Sequence, residues 1–90
     1  MNTETKTAWY VYMVRCADQT LYTGISTDVA RRVLEHNQSP KAAAYTRSRR
    51  PVELVYVEQC ADRPAALRRE HTIRQLTAQA KKNLIKNNCL

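Results

Sequence analysis

Glycine and proline are scarce in this sequence, which has one Gly and three Pro among 90 residues. Disordered chains are usually poor in apolar residues, whereas 43% of this chain is hydrophobic. The sequence also lacks any apolar run near the ~20 residues that a membrane span needs. The polar segment 1–8 has no apolar core and therefore does not resemble a secretion signal. We expect one compact domain.

Cysteines are few and widely spaced, at Cys16, Cys60 and Cys89. An odd number without paired spacing fits neither a disulfide framework nor a zinc site. Free thiols of this kind are typical of a reducing compartment, so a cytoplasmic location is expected. The sequence also lacks a Gly-rich phosphate loop, a GxSxG nucleophile motif and a Cys/His metal cluster. His36 and His71 are the only histidines, too few for a histidine-based metal site.

Acidic residues are in the minority. Eight Asp and Glu stand against fifteen Lys and Arg, which gives a formal charge of +7 and an isoelectric point of about 9.7. A charge of this sign indicates a polyanion as partner, although a basic surface can also simply keep a small protein soluble.

The positive charge is concentrated in an acid-free stretch between Gln38 and Val52. Here basic side chains alternate with an aromatic ring and hydroxyls, the mixture that a loop following a phosphate backbone needs. A second basic set in the C-terminal third is interpreted mainly as an ordinary solvated helix face. The predicted nucleic-acid-binding residues are Lys41, Tyr45, Arg47, Arg49 and Arg50.

Hydrophobic patterning predicts three strands and three main helices. Residues 9–14 form an unbroken apolar and aromatic run, typical of a strand that is covered on both faces and central in its sheet. A polar turn separates it from the second strand, so these two should pair as an antiparallel hairpin. The predicted elements are strands at 9–14, 21–25 and 52–60, helices at 29–37, 62–76 and 77–86, and one helical turn at 42–45.

The order ββαβαα predicts an α+β fold, in which helices pack on a three-stranded antiparallel sheet. Repeats and low-complexity tracts, which would divide the chain, are missing. The domain is expected to span residues 9–86, between a flexible N-terminal segment (1–8) and a C-terminal tail (87–90).

One carboxylate breaks the expected burial pattern of the second long helix. Ala66, Leu67 and Ile73 define its inward stripe, and Glu70 shares that face. A carboxylate among apolar neighbours is costly unless it is paired or bound to a cation. Glu70 is therefore either a metal ligand or an edge residue that pairs with Arg69 or Arg74.

The first helix and the hairpin supply further polar candidates. Arg32 and His36 lie four residues apart on one helix face, a spacing that ordinary surfaces also show. Side chains alternate across a sheet, so Tyr12 and Tyr22 become neighbours if the hairpin register brings their faces together. They are then either functional phenols or half-buried sheet tyrosines. Gly24, the only glycine, marks a backbone that bends or that another group approaches closely.

These residues line up with the pattern of a known nuclease family. The segments YVY (10–12) and YTG (22–24), followed by Arg32, His36 and Glu70, resemble the GIY-YIG nucleases. That family includes homing endonucleases and the cutting domain of bacterial excision repair. The resemblance covers residues 8–86 and is strongest to small stand-alone bacterial members. Its most specific stretches are YTGISTDVARR followed by EH (22–36), RRPVELVY (49–56) and ALRRE (66–70).

The resemblance implies a hydrolytic centre. Tyr22 would position or deprotonate the attacking water, and Tyr12 would assist on the same sheet face. Arg32 would neutralise charge on the scissile phosphate, while His36 would help to activate the nucleophile or contact phosphate. Glu70 would hold one divalent cation, Mg²⁺ or Mn²⁺. This agrees with the chemistry of an anionic phosphodiester, whose hydrolysis needs an activated water and a cation at the developing charge.

The chain departs from the family pattern at two positions. Tyr10 replaces the Gly of the first motif and Thr23 replaces the Ile of the second, which we interpret as packing variation. The family also places an Asn late in the domain, for which Asn83, Asn87 and Asn88 are the candidates.

Together these features predict a metal-dependent DNA endonuclease that selects structure or backbone rather than sequence. Its expected setting is DNA repair or recombination-like processing. Two alternatives stay open: a nucleic-acid-binding module with vestigial chemistry, and a nuclease whose activity depends on a protein partner. DNA is the expected partner in each case, and no membrane association is expected.

Overall fold

The computed structural model describes residues 7–88, and over this range the chain forms three strands and four helices. The α+β class and the predicted elements are confirmed, and the helical turn of the basic loop lies two residues later than predicted. Most of the predicted N-terminal segment and half of the predicted tail lie outside the described residues. The elements are β1 (Trp9–Arg15), β2 (Leu21–Ser26), α1 (Val29–Gln38), α2 (Ala44–Arg47), β3 (Glu53–Cys60), α3 (Arg63–Arg74) and α4 (Ala78–Asn87).

β1 is the central strand of the sheet. The strand order is β2-β1-β3, and β1 is antiparallel to both neighbours. Its middle residues are completely enclosed, which explains the unbroken apolar run. In the hairpin register Tyr12 lies opposite Gly24, and Val14 lies opposite Tyr22. Tyr12 and Tyr22 therefore share one face of the sheet, as side-chain alternation predicted.

The sheet separates two hydrophobic clusters. On one face, Tyr12 and Val14 pack with Val33 of α1. On the other face, Met13 packs with Ile73 of α3, and apolar residues of α4 complete this cluster. The two tyrosines thus belong to the α1 layer, whereas α3 carries Glu70 in the opposite layer. No helix within residues 7–88 is both long and apolar enough to cross a membrane.

Side-chain caps mark the start of the three longer helices, α1, α3 and α4. Asp28 accepts a hydrogen bond from the Arg31 amide at 3.1 Å, and Asp62 accepts one from the Ala65 amide at 2.9 Å. The Thr77 hydroxyl does the same for the last helix. Such caps satisfy backbone donors that have no partner inside the helix. α1 begins three residues after β2, and His36 in its last turn contacts both tyrosines.

The inward stripe of α3 differs from the predicted one. Ala66 and Ile73 are fully buried, but Leu67 is 37% exposed. The prediction of Leu67 as an inward residue is therefore wrong. Positions 66, 70 and 73 follow one another at spacings of four and three, which is one line along a helix. Glu70 lies on that line between two buried residues.

Position 24 requires glycine because a side chain there would collide with a neighbour, and not because of its backbone angle. Its φ is not positive. A Cβ at this position would lie 2.6 Å from the Tyr12 hydroxyl oxygen and 2.8 Å from Cζ of the same ring. The Tyr12 side chain therefore lies directly across the β2 backbone. This confirms the expectation that another group approaches Gly24 closely.

We expect Gly24→Ala to lower the free energy of unfolding by about 1–3 kcal/mol, because its methyl group must displace the buried Tyr12 ring. Urea denaturation followed by circular dichroism measures the change. Thr27→Ala, at an exposed position just beyond the strand, is the matched control and should change stability by less than about 0.5 kcal/mol. Equal stability of Gly24→Ala and the unsubstituted protein would contradict the close contact.

Candidate active site

A buried series of side-chain hydrogen bonds connects β1, α1 and α2. The Tyr12 hydroxyl oxygen lies 2.8 Å from Nε2 of His36. Nδ1 of His36 lies 2.7 Å from Oγ1 of Thr46, and Thr46 donates to the Ala43 carbonyl at 3.1 Å. Tyr12, His36 and Thr46 are each at most 1% exposed. Two of the five predicted catalytic residues, Tyr12 and His36, are therefore direct hydrogen-bond partners in the protein interior.

Burial keeps both partners neutral. Loss of hydration lowers the pKa of His36 from 6.5 to about 4, and the positive charge of Arg32 acts in the same direction. Loss of hydration also raises the pKa of Tyr12 from 10.0 to about 12, with a further contribution from Tyr22. Both shifts arise because the charged form of a buried group loses its water. At neutral pH the pair is a phenol beside an uncharged imidazole.

Arg32 lies beside this pair. Its Nη1 donates to Glu35 at 2.9 Å and to the Lys41 carbonyl at 3.3 Å. The guanidinium also interacts with the Tyr12 phenol and partly offsets the rise in its pKa. The Arg32 side chain remains 26% exposed. A fixed positive charge therefore lies at the solvent boundary next to the buried phenol.

Tyr22 forms the outer part of the cluster. Its ring meets the His36 ring edge-on at a centroid separation of 5.3 Å. On its other side it stacks with Tyr45 at 5.9 Å, and the Arg49 guanidinium lies 3.9 Å from the Tyr45 centroid. Tyr22 is half-buried, whereas Tyr12 is enclosed. Of the two predicted catalytic tyrosines, Tyr22 is the one that solvent reaches.

Glu70 approaches the cluster from the opposite layer. Its side chain is 17% exposed and pairs with Arg74 at 3.4 Å, so Arg74 and not Arg69 is its arginine partner. Arg69 instead pairs with Glu58 at 2.9 Å. The negative charge of Glu70 makes a small contribution to the raised pKa of Tyr12, which burial mainly causes. The carboxylate is therefore within electrostatic range of the phenol.

The predicted nucleic-acid-binding residues have two kinds of environment. Lys41, Tyr45 and Arg47 lie on the exposed surface. Lys41 is next to Arg32 and Tyr45 is next to the Tyr22 ring, whereas Arg47 donates to the Pro40 carbonyl at 3.1 Å. Arg49 is half-buried, donates to the Tyr45 carbonyl at 2.8 Å and pairs with a carboxylate of the β1–β2 turn. These four residues form one continuous basic and aromatic surface, which we call the loop surface.

Arg50 is directed at the protein backbone instead. It donates to the carbonyls of His36, at 2.6 Å, and Ser39. These carbonyls lie at the C-terminal end of α1, where a positive charge stabilises a helix. Asn37 also pairs with the backbone amide and carbonyl of Val52. Arg50 and Asn37 therefore hold the end of α1 against the start of β3.

A groove beside Tyr22 contains two basic residues that sequence patterning did not distinguish. It has a volume of about 450 Å³. Arg74 also donates to the Thr23 carbonyl at 3.3 Å. No sequence signal separates Arg74 and Lys81 from the other C-terminal basic residues, because their place depends on how α3 and α4 pack at the β2 edge. The groove is lined by Leu21, Tyr22, Thr23, Tyr45, Arg74 and Lys81.

The late asparagines are exposed residues at or near α4. The Gln79 side chain donates to Asn83 at 3.1 Å, and Asn88 donates to the Leu84 carbonyl at 3.0 Å. Both contacts stay within the final helical segment. In the part of the chain that the structure describes, none of the candidates Asn83, Asn87 and Asn88 contacts the tyrosines.

The predicted catalytic residues come from four elements and converge on one region. His36 contacts both tyrosines, Arg32 interacts with the Tyr12 phenol, and Glu70 acts on Tyr12 electrostatically. Residues 8–83, which contain all five, match the family described as the GIY-YIG catalytic domain. The chain belongs to the GIY-YIG family. Members of this family are typically endonucleases and commonly use a divalent metal.

Similar proteins share this small domain. The chain is 61% identical to a UPF0213 protein of Desulfotalea psychrophila, over 88% of this chain and 72% of that protein. It is 47% identical to the UPF0213 protein YhbQ of Salmonella arizonae, over 88% and 78%. The solution NMR structure of a UPF0213 protein from Bacillus halodurans matches with a TM-score of 0.56 at 38% identity, covering 88% and 83%. A solution NMR structure from E. faecalis matches with a TM-score of 0.61 at 33% identity, covering 94% and 90%.

We expect the free energy of unfolding to fall as the pH is lowered from about 6.5 to about 4. An unfolded histidine binds a proton near 6.5, whereas folded His36 binds one only near 4. Protonation therefore favours the unfolded chain, and the loss approaches about 3 kcal/mol below this window. Urea denaturation at a series of pH values measures the effect.

The two histidines provide matched variants for this measurement. His71 is exposed, so His71→Gln should keep the pH dependence between 4 and 6.5, whereas His36→Gln should remove most of it. An NMR titration of the unsubstituted protein gives an independent check that needs no stable variant. A His36 ring signal that titrates between pH 6 and 7 would contradict the buried neutral state.

Proposed function

We propose that this protein is a metal-dependent DNA endonuclease that selects the structure of its substrate rather than its sequence. One observation carries the proposal: an accessible phenol, a fixed guanidinium and a carboxylate surround the buried Tyr12–His36 pair. Hydrolysis of a phosphodiester needs a positioned water, neutralised phosphate charge and a bound cation. Tyr22, Arg32 and Glu70 are suited to these three tasks in turn.

The proposed roles follow from exposure. Tyr22 positions the attacking water because it is the phenol that solvent reaches. Arg32 neutralises the phosphate, since its charge is fixed yet partly exposed. Tyr12 and His36 are enclosed and act through Tyr22. The complete burial of His36 argues against a direct phosphate contact, one of the two roles that the family resemblance implied.

Glu70 is the proposed ligand of a divalent cation. It is half-buried, and its arginine partner at 3.4 Å is exposed to solvent. Within residues 7–88 no group of three or more His, Cys, Asp or Glu could hold a metal, so the other ligands would be phosphate oxygens and water. Mg²⁺ is commonly bound in this way, through one or two carboxylates and substrate phosphates. Bound Mg²⁺ or Mn²⁺ would stabilise the negative charge that develops on the phosphate.

The loop surface is the proposed DNA contact. Exposed lysine and arginine beside an aromatic ring bind phosphates and stack on bases without reading sequence. Arg74 and Lys81 continue the positive charge along the neighbouring groove. Arg50 is left out of this surface because it is half-buried and binds two carbonyls at the end of α1. Arg47 is exposed and bonds the Pro40 carbonyl through one nitrogen, and Arg49 lies over the Tyr45 ring. Selection by backbone and shape suits DNA repair or recombination-like processing in the cytoplasm.

Incubation with nicked, branched, single-stranded and duplex DNA in Mg²⁺ or Mn²⁺ should give products whose formation EDTA abolishes. Glu70→Gln and Arg32→Ala should each lower the cleavage rate about 100-fold or more, because each removes charge stabilisation at the phosphate. Gel electrophoresis of end-labelled DNA measures the rates.

Two exposed residues of the same types, Arg31 and Glu53, serve as matched controls for these substitutions. Arg31→Ala on α1 and Glu53→Gln on β3 change the same charges away from the tyrosines and should cleave at nearly the original rate. DNA binding without cleavage in every condition would refute the endonuclease and favour the binding module. Equal losses in the controls would show that the effect is one of overall charge.

Replacing Lys41 and Arg47 together by Ala should weaken DNA binding to a similar extent for all sequences. The slope of log affinity against log salt should decrease by about one for each phosphate that the protein no longer neutralises. Fluorescence anisotropy at several salt concentrations measures both quantities. Arg68→Ala, exposed on α3, is the control for charge alone. An unchanged slope in the double variant would exclude the loop surface as the site of phosphate binding.

A further inference from the structure

Thr46 belongs to the buried hydrogen-bond series but has no part in the proposed endonuclease chemistry. We propose that Thr46 is a positioning residue that fixes His36 as the neutral tautomer protonated on Nδ1, and so directs the Tyr12 proton towards His36. The catalytic consequence of this inference rests on the proposed function. The tautomer itself is a property of the folded protein and is testable without substrate.

The direction of the series is set first at Thr46. A threonine hydroxyl has one proton to donate, and a carbonyl oxygen is only an acceptor. With the Thr46 proton assigned to the Ala43 carbonyl, at 3.1 Å, the Thr46 oxygen accepts from His36 at 2.7 Å. The proton of the imidazole therefore lies on Nδ1, and Nε2 carries a lone pair.

The other end of the series favours the same direction. Nε2 lies 2.8 Å from the Tyr12 hydroxyl, so its lone pair accepts the Tyr12 proton. Arg32 also interacts with the Tyr12 phenol, and a guanidinium can only donate hydrogen bonds. A Tyr12 proton directed at Arg32 would therefore be repelled, whereas a Tyr12 lone pair there accepts. In the reverse tautomer Nε2 would donate to Tyr12, and the buried Tyr12 proton would lose its His36 acceptor. Leaving a buried donor without a partner is costly.

The direction of the Tyr12 proton decides whether its hydroxyl accepts or donates a hydrogen bond on the side of Arg32 and Tyr22. With its proton directed inward at His36, the Tyr12 oxygen presents lone pairs towards Arg32 and the tyrosine cluster. It can then accept a hydrogen bond from the Tyr22 phenol, which positions the attacking water. In the reverse tautomer Tyr12 would instead present a proton there. No proton needs to leave Tyr12 or His36 for this effect, in keeping with two groups that stay neutral.

The position of Thr46 also links this orientation to the loop surface. Thr46 lies in α2 between Tyr45 and Arg47, which are exposed while Thr46 is fully buried. One short helix thus carries two proposed DNA contacts on its outer side and the tautomer-fixing hydroxyl on its inner side. A neutral hydroxyl orients the imidazole as the third group of a triad does, without adding a buried charge.

The tautomer is measured by long-range ¹H–¹⁵N NMR correlation of the histidine rings at neutral pH, with exposed His71 as an internal reference. The unsubstituted protein and Thr46→Ser should show His36 protonated on Nδ1. Thr46→Val, which keeps the shape but removes the hydroxyl, should shift His36 towards the Nε2-protonated form. Nε2 protonation in the unsubstituted protein would overturn the inference, and this result needs no variant to fold. An unchanged Nδ1 proton in Thr46→Val would also overturn it.

Kinetics test the catalytic consequence separately. Thr46→Val should lower kcat by about 10- to 100-fold and leave KM within about twofold, as is usual for groups that orient a reacting residue. Thr46→Ser should restore most of the rate. Full activity of Thr46→Val would overturn the positioning role. If the unsubstituted protein cleaves no DNA, the proposed function fails, while the NMR measurement still decides the tautomer.

Discussion

The contact between Tyr12 and Gly24 is the constraint on which the site depends. The Tyr12 ring lies so close to β2 that no side chain fits at position 24, and its hydroxyl reaches His36 inside the α1 layer. This places one phenol between the edge strand, the first helix and the guanidinium of Arg32. Because the ring is enclosed, the half-buried Tyr22 becomes the solvent-facing member of the pair. The GIY-YIG motifs thus describe a packing arrangement as much as a set of reactive groups.

The basic stretch 39–51 performs structural and surface tasks at once. Arg50 binds carbonyls at the end of α1, and Thr46 closes the buried hydrogen-bond series. Tyr45 and Arg49 extend the aromatic cluster outward from Tyr22. The inner and outer side chains thus belong to the same short segment, and one piece of backbone holds both the buried series and the exposed surface.

The fold was largely predictable because each element carries a local signal. Alternation, the continuous apolar run of β1 and the caps at Asp28 and Asp62 are properties of neighbouring residues, so boundaries were correct to within about two residues at most ends. Leu67 was misassigned because a helix stripe inferred from three apolar positions is ambiguous by one residue. The place of the α2 turn was also imprecise, since no side chain caps its start and its residues follow no regular apolar pattern.

The sequence by itself determined the residue types of the site and their order along the chain, because the GIY-YIG motifs are contiguous and Gly24 is the only glycine. Only the tertiary structure decided which of these residues meet. Three contacts show this: Tyr12 bonds to His36, Thr46 bonds to His36, and Arg50 donates to the His36 carbonyl. Each joins residues 10 to 24 positions apart in the sequence. Such contacts depend on register and helix packing, which propensity and spacing do not encode. The same packing made His36 neutral, because burial and not residue type sets its pKa.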